Sequence, residues 1–338
     1  MSINAKEIQD NIFLIKVPLP NSPLKNLNSY LLRNGERNLL IDTGFNMDEC
    51  YNVLKSNLDY LGVDMADTDI FFTHLHADHS GLLARISHEN SRAYMGSPDV
   101  KKTIYNREQS KKRWRDQELQ FYEAGYTREE LLETRSTNPG VKYISSTYTK
   151  LTPVDDGHEF VDYPGFAIKT VHTPGHTPGH MCLYETNKNI LFAGDHILFD
   201  ITSNISDWPE LDDTLGTYLQ SLERIRQMDV NRVYAGHREN EIDHIARIDE
   251  LIWHHEKRLN EVESIVNSSP GLTAYDITGK MKWKIRAKGW DDFPLGQKVF
   301  AVGEAMAHIH YLVLRKKVFS SFVDGRYYFY PTEEQASE

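Results

Sequence analysis

The chain has 338 residues, 40% hydrophobic and 26% charged, with a formal net charge of −11. That length allows one large α/β domain plus a small one, and the acidity argues against a general binder of nucleic acid or anionic membrane. No apolar run approaches the ~20 residues that span a bilayer, the N-terminus lacks a basic region followed by an apolar core, and Cys50 and Cys182 are the two cysteines; the expectation is a cytoplasmic chain with reduced thiols and no membrane partner.

Ile12 to Val17 reads as a strand, which Pro18 to Pro23 break. Asn28 to Arg33 and Asn38 to Ile41 read as a hairpin around Asn34-Gly35. The second of these strands ends in Asp42-Thr43-Gly44, either a plain Asp turn or a carboxylate set to brace a neighbouring site. Met47 to Leu61 has helical apolar spacing and stops at Gly62. Ile70-Phe71-Phe72 is too short for alternation to classify, but its aromatic and β-branched content favours a buried strand. It runs into Thr73-His74-Leu75-His76-Ala77-Asp78-His79. His74 and His76 are two apart and point the same way from an extended backbone. Asp78 and His79 follow where the chain turns into a helix. Imidazole and carboxylate suit Zn²⁺, Fe²⁺ or Mn²⁺, and the C-terminal ends of strands are where open α/β sheets place their sites.

Gly81 to His88 begins a helix, and Ala93 to Met95 is a short strand. Asp99 to Glu133 reads as helical, and between Lys101 and Arg115 the cations Lys101, Lys102, Arg107, Lys111, Lys112, Arg113 and Arg115 face Glu108 alone. Residues 99–135 are either a solvated helical insertion or a cap that presents cations to an anionic substrate, with Trp114, Phe121, Tyr122 and Tyr126 as its apolar underside. Strands return at Lys150 to Val154, Gly157 to Phe160 and Phe166 to Val171. The stretch His172-Thr173-Pro174-Gly175-His176-Thr177-Pro178-Gly179-His180 then carries Thr-Pro-Gly-His twice. Pro and Gly fix a rigid turn there, but spacing does not choose between His176 and His180. Met181 to Tyr184 and Ile190 to Ala193 are strands, and the second runs into Gly194-Asp195-His196. Asp212 to Met228 is a helix, and Arg232 to Ala235 is a strand ending in Gly236-His237.

Four strand ends thus deliver a ligand-type side chain, which argues for one shared metal site. His74-x-His76-x-Asp78-His79, Thr-Pro-Gly-His176, Leu-Phe-Ala-Gly-Asp195 and Ala-Gly-His237 resemble the metallo-β-lactamase superfamily from residue 12 to about 260, and Asp42-Thr43-Gly44 sits where that family has its first motif. The resemblance implies an αββα sandwich with a dinuclear site. It assigns His74, His76 and His176 to one metal and Asp78, His79 and His237 to a second, with Asp195 bridging. It leaves His172 and His196 as supporting or structural residues. Two divalent ions, Zn²⁺ foremost with Fe or Mn as alternatives, would make hydroxide from a shared water for attack on a carbonyl or phosphoryl centre, and Asp78 would orient it. The two cysteines read as small buried apolar residues.

Departures from the family narrow the expected substrate. Exported lactamases usually place Cys where this chain has Asp195, and the RNA-processing branch with a large inserted domain needs a longer step than the 42 positions from Asp195 to His237. What remains is similar to the glyoxalase II and lactonase branches, so the expected activity is hydrolysis of a small thioester, ester or lactone. The alternative is a metal-dependent endoribonuclease on single-stranded RNA.

Residues 263–338 read as a separate domain, after a catalytic domain over 1–262. Ser268-Ser269-Pro270-Gly271 follows a helix from His244 to Ile265. A short helix begins at Leu272, a longer one covers Gln297 to Leu314, and a hairpin turns at Asp324-Gly325. That order resembles a winged helix. Ten Lys and Arg against eight Asp and Glu over 268–338 are too weakly basic to mark a nucleic-acid surface; packing or homodimerisation is the role expected.

Overall fold

Leu39, Leu40 and Ile41 are consecutive and all buried, yet they serve two different cores. Side chains alternate across a strand, so a strand covered on both faces is apolar at every position. The computed structural model describes residues 3–103, 107–137, 139–148, 151–239, 243–284 and 287–332, with the side chains of 107–114, 135–137, 139 and 141 left aside.

The chain begins with β1 (Lys6–Gln9), β2 (Ile12–Pro18), β3 (Asn26–Leu32) and β4 (Asn38–Ile41). Helix α1 (Asp48–Tyr60), β5 (Thr68–Phe72), the short turns α2 (Ala77–Ser80) and α3 (Leu83–Ile86), β6 (Ala93–Gly96) and α4 (Ser97–Thr103) follow. Then come α5 (Arg107–Glu123), α6 (Arg128–Thr137), α7 (Pro139–Lys142), β7 (Leu151–Val154), β8 (Glu159–Phe160) and β9 (Ile168–His172). The rest is β10 (Met181–Glu185), β11 (Ile190–Gly194), α8 (Thr214–Arg226), β12 (Arg232–Ala235), α9 (His244–Ser268), α10 (Ala274–Lys280), α11 (Leu295–Leu314), β13 (Val318–Val323) and β14 (Arg326–Pro331).

Strands β1 to β7 form one seven-stranded sheet in chain order, antiparallel as far as β4 and parallel from β4 to β7. A five-stranded sheet runs β12-β11-β10-β9-β8, with β11 and β12 parallel. One face of the first sheet meets the second through Tyr30, Ile41, Phe71, Leu183, Phe192 and Tyr234. Its other face, with Leu40, Ile70 and Phe72, is covered by Cys50, Leu54 and Leu58 of α1 and by Leu83 and Ile86. This is the αββα sandwich that the sequence implied. Cys50 and Cys182 are buried free thiols, as expected for small core residues.

The chain divides into two compact units, the first comprising Met1–Ile104, Pro139–Ser203 and Ser221–Ile248, the second Tyr105–Asn138, Asn204–Gln220 and Asp249–Glu338. In the second unit the stretch read as one helical region restarts at Thr127. The Thr127 hydroxyl accepts the Glu130 N–H at 3.2 Å, and Glu130 Oε2 accepts the Thr127 N–H at 3.0 Å, a capping box that begins α6. Tyr126 is fully buried, with its ring against Phe121 and Tyr275. Lys111, Lys112, Arg113 and Trp114 of the proposed cap have side chains outside the described residues. The C-terminal order of two helices and a hairpin is present as α10, α11, β13 and β14, and Asp324 and Gly325 both take the positive φ that a two-residue hairpin turn needs. Among the described residues no helix is long and apolar enough to cross a membrane.

Candidate metal centre

Every group of the site sits just past the end of a strand. Strand β5 ends at Phe72, and the Thr73 N–H is caught by Asp42 Oδ1 at 2.9 Å, at the end of the adjacent β4. The chain bends at Thr73, His74 and Leu75, is extended again at His76 and then turns into α2, where the N–H groups of His79 and Ser80 return to the His76 carbonyl. His74 and His76 therefore leave one backbone segment, and Asp78 and His79 leave the turn beyond it. His176 comes from the Thr-Pro-Gly-His loop between β9 and β10, Asp195 from the end of β11, and His237 from the end of β12.

Three imidazole nitrogens converge in a triangle. His176 Nε2 lies 3.2 Å from His74 Nε2 and 3.0 Å from His76 Nδ1, and His74 Nε2 lies 3.0 Å from His76 Nδ1. A second group forms beside it: His79 Nε2 is 3.2 Å from His237 Nε2, which is 3.4 Å from Asp78 Oδ2. Asp195 stands between the groups. Its Oδ1 is 3.4 Å from Nε2 of both His79 and His237, and its Oδ2 is 3.7 Å from His176 Nε2. Oδ1 is buried and has no hydrogen bond of good geometry among the described residues.

For two of the imidazoles the far side fixes the tautomer. His79 Nδ1 donates to Asp42 Oδ2 at 2.8 Å, and His237 Nδ1 donates to the Asn26 carbonyl at 2.8 Å, so each turns the Nε2 lone pair inward. Burial, with neighbouring imidazoles, pushes His74 well below its ordinary range and His76 to about 3, which keeps both neutral and able to donate a lone pair. Burial opposes charge on His79 too, but Asp42, Asp195 and Asp78 outweigh it and raise that imidazole. Burial works against Asp78 as a carboxylate, yet His79 and His237 hold it down at about 2.

This donor set fits a divalent cation. Nitrogens bound tetrahedrally to Zn²⁺ at ~2.05 Å lie about 3.3 Å apart, close to the spacing of the first triangle. Three sets satisfy a common reach of 4.8 Å: His74, His76 and His176; His74, His79 and Asp195; and Asp78, His79 and His237. All seven residues singled out in the sequence are thus brought together.

His180 plays a different part. Its Nδ1 meets the Thr173 hydroxyl at 2.8 Å and its Nε2 accepts the Asp195 N–H at 3.2 Å. His172 donates to the Pro178 carbonyl at 3.0 Å within the loop, and His196 is buried and pushed down to about 3 by that burial. Sequence reasoning missed Asp99, a fully buried carboxylate that bonds to both His-bearing loops. The sequence offered only its place after a short strand; that this strand, β6, is parallel to β5 and ends in the same row as β4 and β5 is seen only in the fold.

Residues 24–237 match the family model described as the metallo-beta-lactamase superfamily. The "Beta-lactamase-like protein 2 homolog" of Caenorhabditis elegans is 27% identical over 294 residues, 85% of this chain and 83% of that protein. An "Atrochrysone carboxyl ACP thioesterase" of Emericella nidulans is 25% identical over 213 residues, which cover 63% of this chain and 52% of the thioesterase. The crystal structure of a metallo-beta-lactamase family protein from Thermus thermophilus superposes with a TM-score of 0.80 at 24% identity, over 96% of this chain and 100% of that one. That likeness is one of fold.

Proposed function

This chain belongs to the metallo-beta-lactamase superfamily, and from that membership we propose that it is a dinuclear hydrolase of a small thioester, ester or lactone. Enzymatic hydrolysis and divalent-metal binding come with the family. The finer reading rests on one observation above all: two donor groups face a single carboxylate, Asp195, whose oxygens point one to each. In this reading His74, His76 and His176 would hold one ion and Asp78, His79 and His237 the other, with Asp195 placed to serve both. Zinc is the ion that the nitrogen-rich set favours, with iron or manganese also suited to it. Divalent ions in such a site act as Lewis acids and make water acidic enough to ionise near neutral pH.

The chain's own residues do the rest. Asp42 and the Asn26 carbonyl hold two imidazoles in the productive tautomer. Asp78 is the most open carboxylate of the group, with a side chain 13% exposed against 9% for Asp195 and 2% for Asp42. It is therefore the one placed to orient an attacking water. Addition of water to an acyl carbon breaks the C–S or C–O bond and gives a carboxylic acid with a thiol or alcohol. The similarity to a fungal thioesterase supports a thioester as the first substrate to try.

The test is turnover of acyl thioesters, aryl esters and lactones by metal-free and zinc-reconstituted protein, with bound metal quantified. Zinc should restore hydrolysis of at least one class, and Asp78→Ala should abolish it. Absence of turnover on all three by fully loaded protein would overturn the proposal.

A further inference from the structure

The loops that carry His74, His76 and His176 lie about a hundred residues apart in sequence, and one carboxylate ties them together. Asp99, in the first turn of α4, is fully buried. Its Oδ2 accepts the Leu75 N–H at 2.9 Å and the Thr177 hydroxyl at 2.7 Å, and its Oδ1 accepts the Gly179 N–H at 2.7 Å. Leu75 stands between His74 and His76, and Thr177 follows His176 directly. The approach is close enough to dictate sequence: a Cβ on Gly179 would meet the Asp99 nitrogen at 2.4 Å and Oδ1 at 2.7 Å. Burial pushes the Asp99 carboxyl up to about 6, against the pull of its three donors and of Lys102. A buried acid held by three donors from two loops is expensive to keep unless the register of those loops matters.

We propose that Asp99 is a positioning residue of the metal centre, a clamp that sets His176 against His74 and His76 without touching the ion itself. The inference rests on the reading of those three histidines as ligands of one ion. It specifies the side chain closely. Asparagine offers one acceptor edge and one donor edge, so one of its edges would set N–H against N–H, at Gly179 or at Leu75. Outer groups that orient ligands typically cost 10–100-fold in metal affinity when lost.

The experiment titrates the metal-free full-length chain with cobalt(II) and follows the visible d–d absorption, which reads affinity and coordination geometry independently of activity. Asp99→Asn should weaken the first equivalent by ~10–100-fold and change its spectrum, and Thr177→Val should do so to a lesser degree while leaving the carboxylate in place. Asp69→Asn is the structural comparison: Asp69 is equally buried, but it is held by Arg37, Arg92 and Tyr163 at the other end of β5, and its variant should lose stability yet keep the wild-type cobalt affinity and spectrum. A folded Asp99→Asn with wild-type affinity and spectrum would overturn the clamp. If Asp99→Asn does not fold, wild-type binding by Thr177→Val overturns it instead. His176→Ala separates the two levels: cobalt binding unchanged in that variant would remove the ligand reading, and the clamp with it.

Discussion

His180 Nε2 accepts the backbone N–H of Asp195 at 3.2 Å. With Nδ1 at the Thr173 hydroxyl, both ring nitrogens of His180 are occupied, whereas His176 Nε2 faces two other imidazole nitrogens. The tandem repeat thus gives its two histidines different work, one toward the donor cluster and one behind the peptide that carries Asp195. On this basis His176→Ala should lose bound zinc and nearly all hydrolysis. His180→Ala should retain zinc with reduced activity and lower stability, because it leaves the buried Asp195 N–H unpaired at a cost of about 1–3 kcal/mol. Zinc quantification on both purified variants checks this, and the opposite pattern would reassign the ligand.

Asp42 accepts three hydrogen bonds: the Thr73 N–H at 2.9 Å, the Thr73 hydroxyl at 2.8 Å and His79 Nδ1 at 2.8 Å. It does so from a left-handed backbone, φ 59°, which is uncommon outside glycine. The carboxylate thereby fixes both the His79 tautomer and the start of the His-rich loop. Asp42→Ala should weaken zinc at the Asp78, His79 and His237 set by ~10–100-fold, while the three-histidine set holds. Competition with a chelator of known affinity should therefore resolve one weakened and one near-normal equivalent. Equal affinity to the wild type at both would show that His79 needs no such support.

Away from the site, Asp69 makes a pH prediction. Burial pushes this carboxyl up, but hydrogen bonds from Arg37, Arg92 and Tyr163 outweigh it and hold it down at about 2. A carboxylate depressed on folding contributes stability that is complete above its unfolded pKa near 4 and disappears as pH falls through the folded value. The contribution at neutral pH is roughly 2 kcal/mol by that linkage. Urea midpoints of the wild type and Asp69→Asn should differ by a constant amount above about pH 4, begin to converge below it and come together near pH 2. A difference that stays constant to low pH would mean that ionisation of Asp69 has no part in it.

Much of the sandwich was legible because it depends on local pattern: short β-branched and aromatic runs, glycine and proline stops, and ligand-type residues where each run ends. Ile70-Phe71-Phe72 is such a run, and His74 lies just beyond the strand it forms. Asp99 was not legible, since a lone Asp at the start of a helix is ordinary capping chemistry. Only the fold brings Leu75 and Thr177 to the same carboxylate. The edge strand β1 also went unread; Lys6–Gln9 is four residues with no buried position, and it pairs only with β2. Similarly, the helical stretch after Asp99 looked continuous because the capping box at Thr127 and Glu130 is visible only as a spacing of three.

The choice between a small acyl substrate and RNA turns on charge. Attack on an ester or thioester needs the site and a compact pocket. Attack on RNA needs in addition a surface that tracks phosphates, whose affinity comes largely from Lys and Arg and falls steeply with salt. The chain's net charge of −11 works against an extended track, and the candidates to supply one are the basic run Lys101 to Arg115, which includes Lys111, Lys112 and Arg113, and the weakly basic C-terminal domain. Ester or thioester turnover should therefore change little between low and physiological salt, in the wild type and in a triple Lys111→Ala, Lys112→Ala, Arg113→Ala variant alike. RNA cleavage, if present at all, should be weak beside it. Salt-sensitive RNA cleavage that is lost in the triple variant and in Asp78→Ala, together with no turnover on the acyl panel, would overturn the acyl reading in favour of a nuclease.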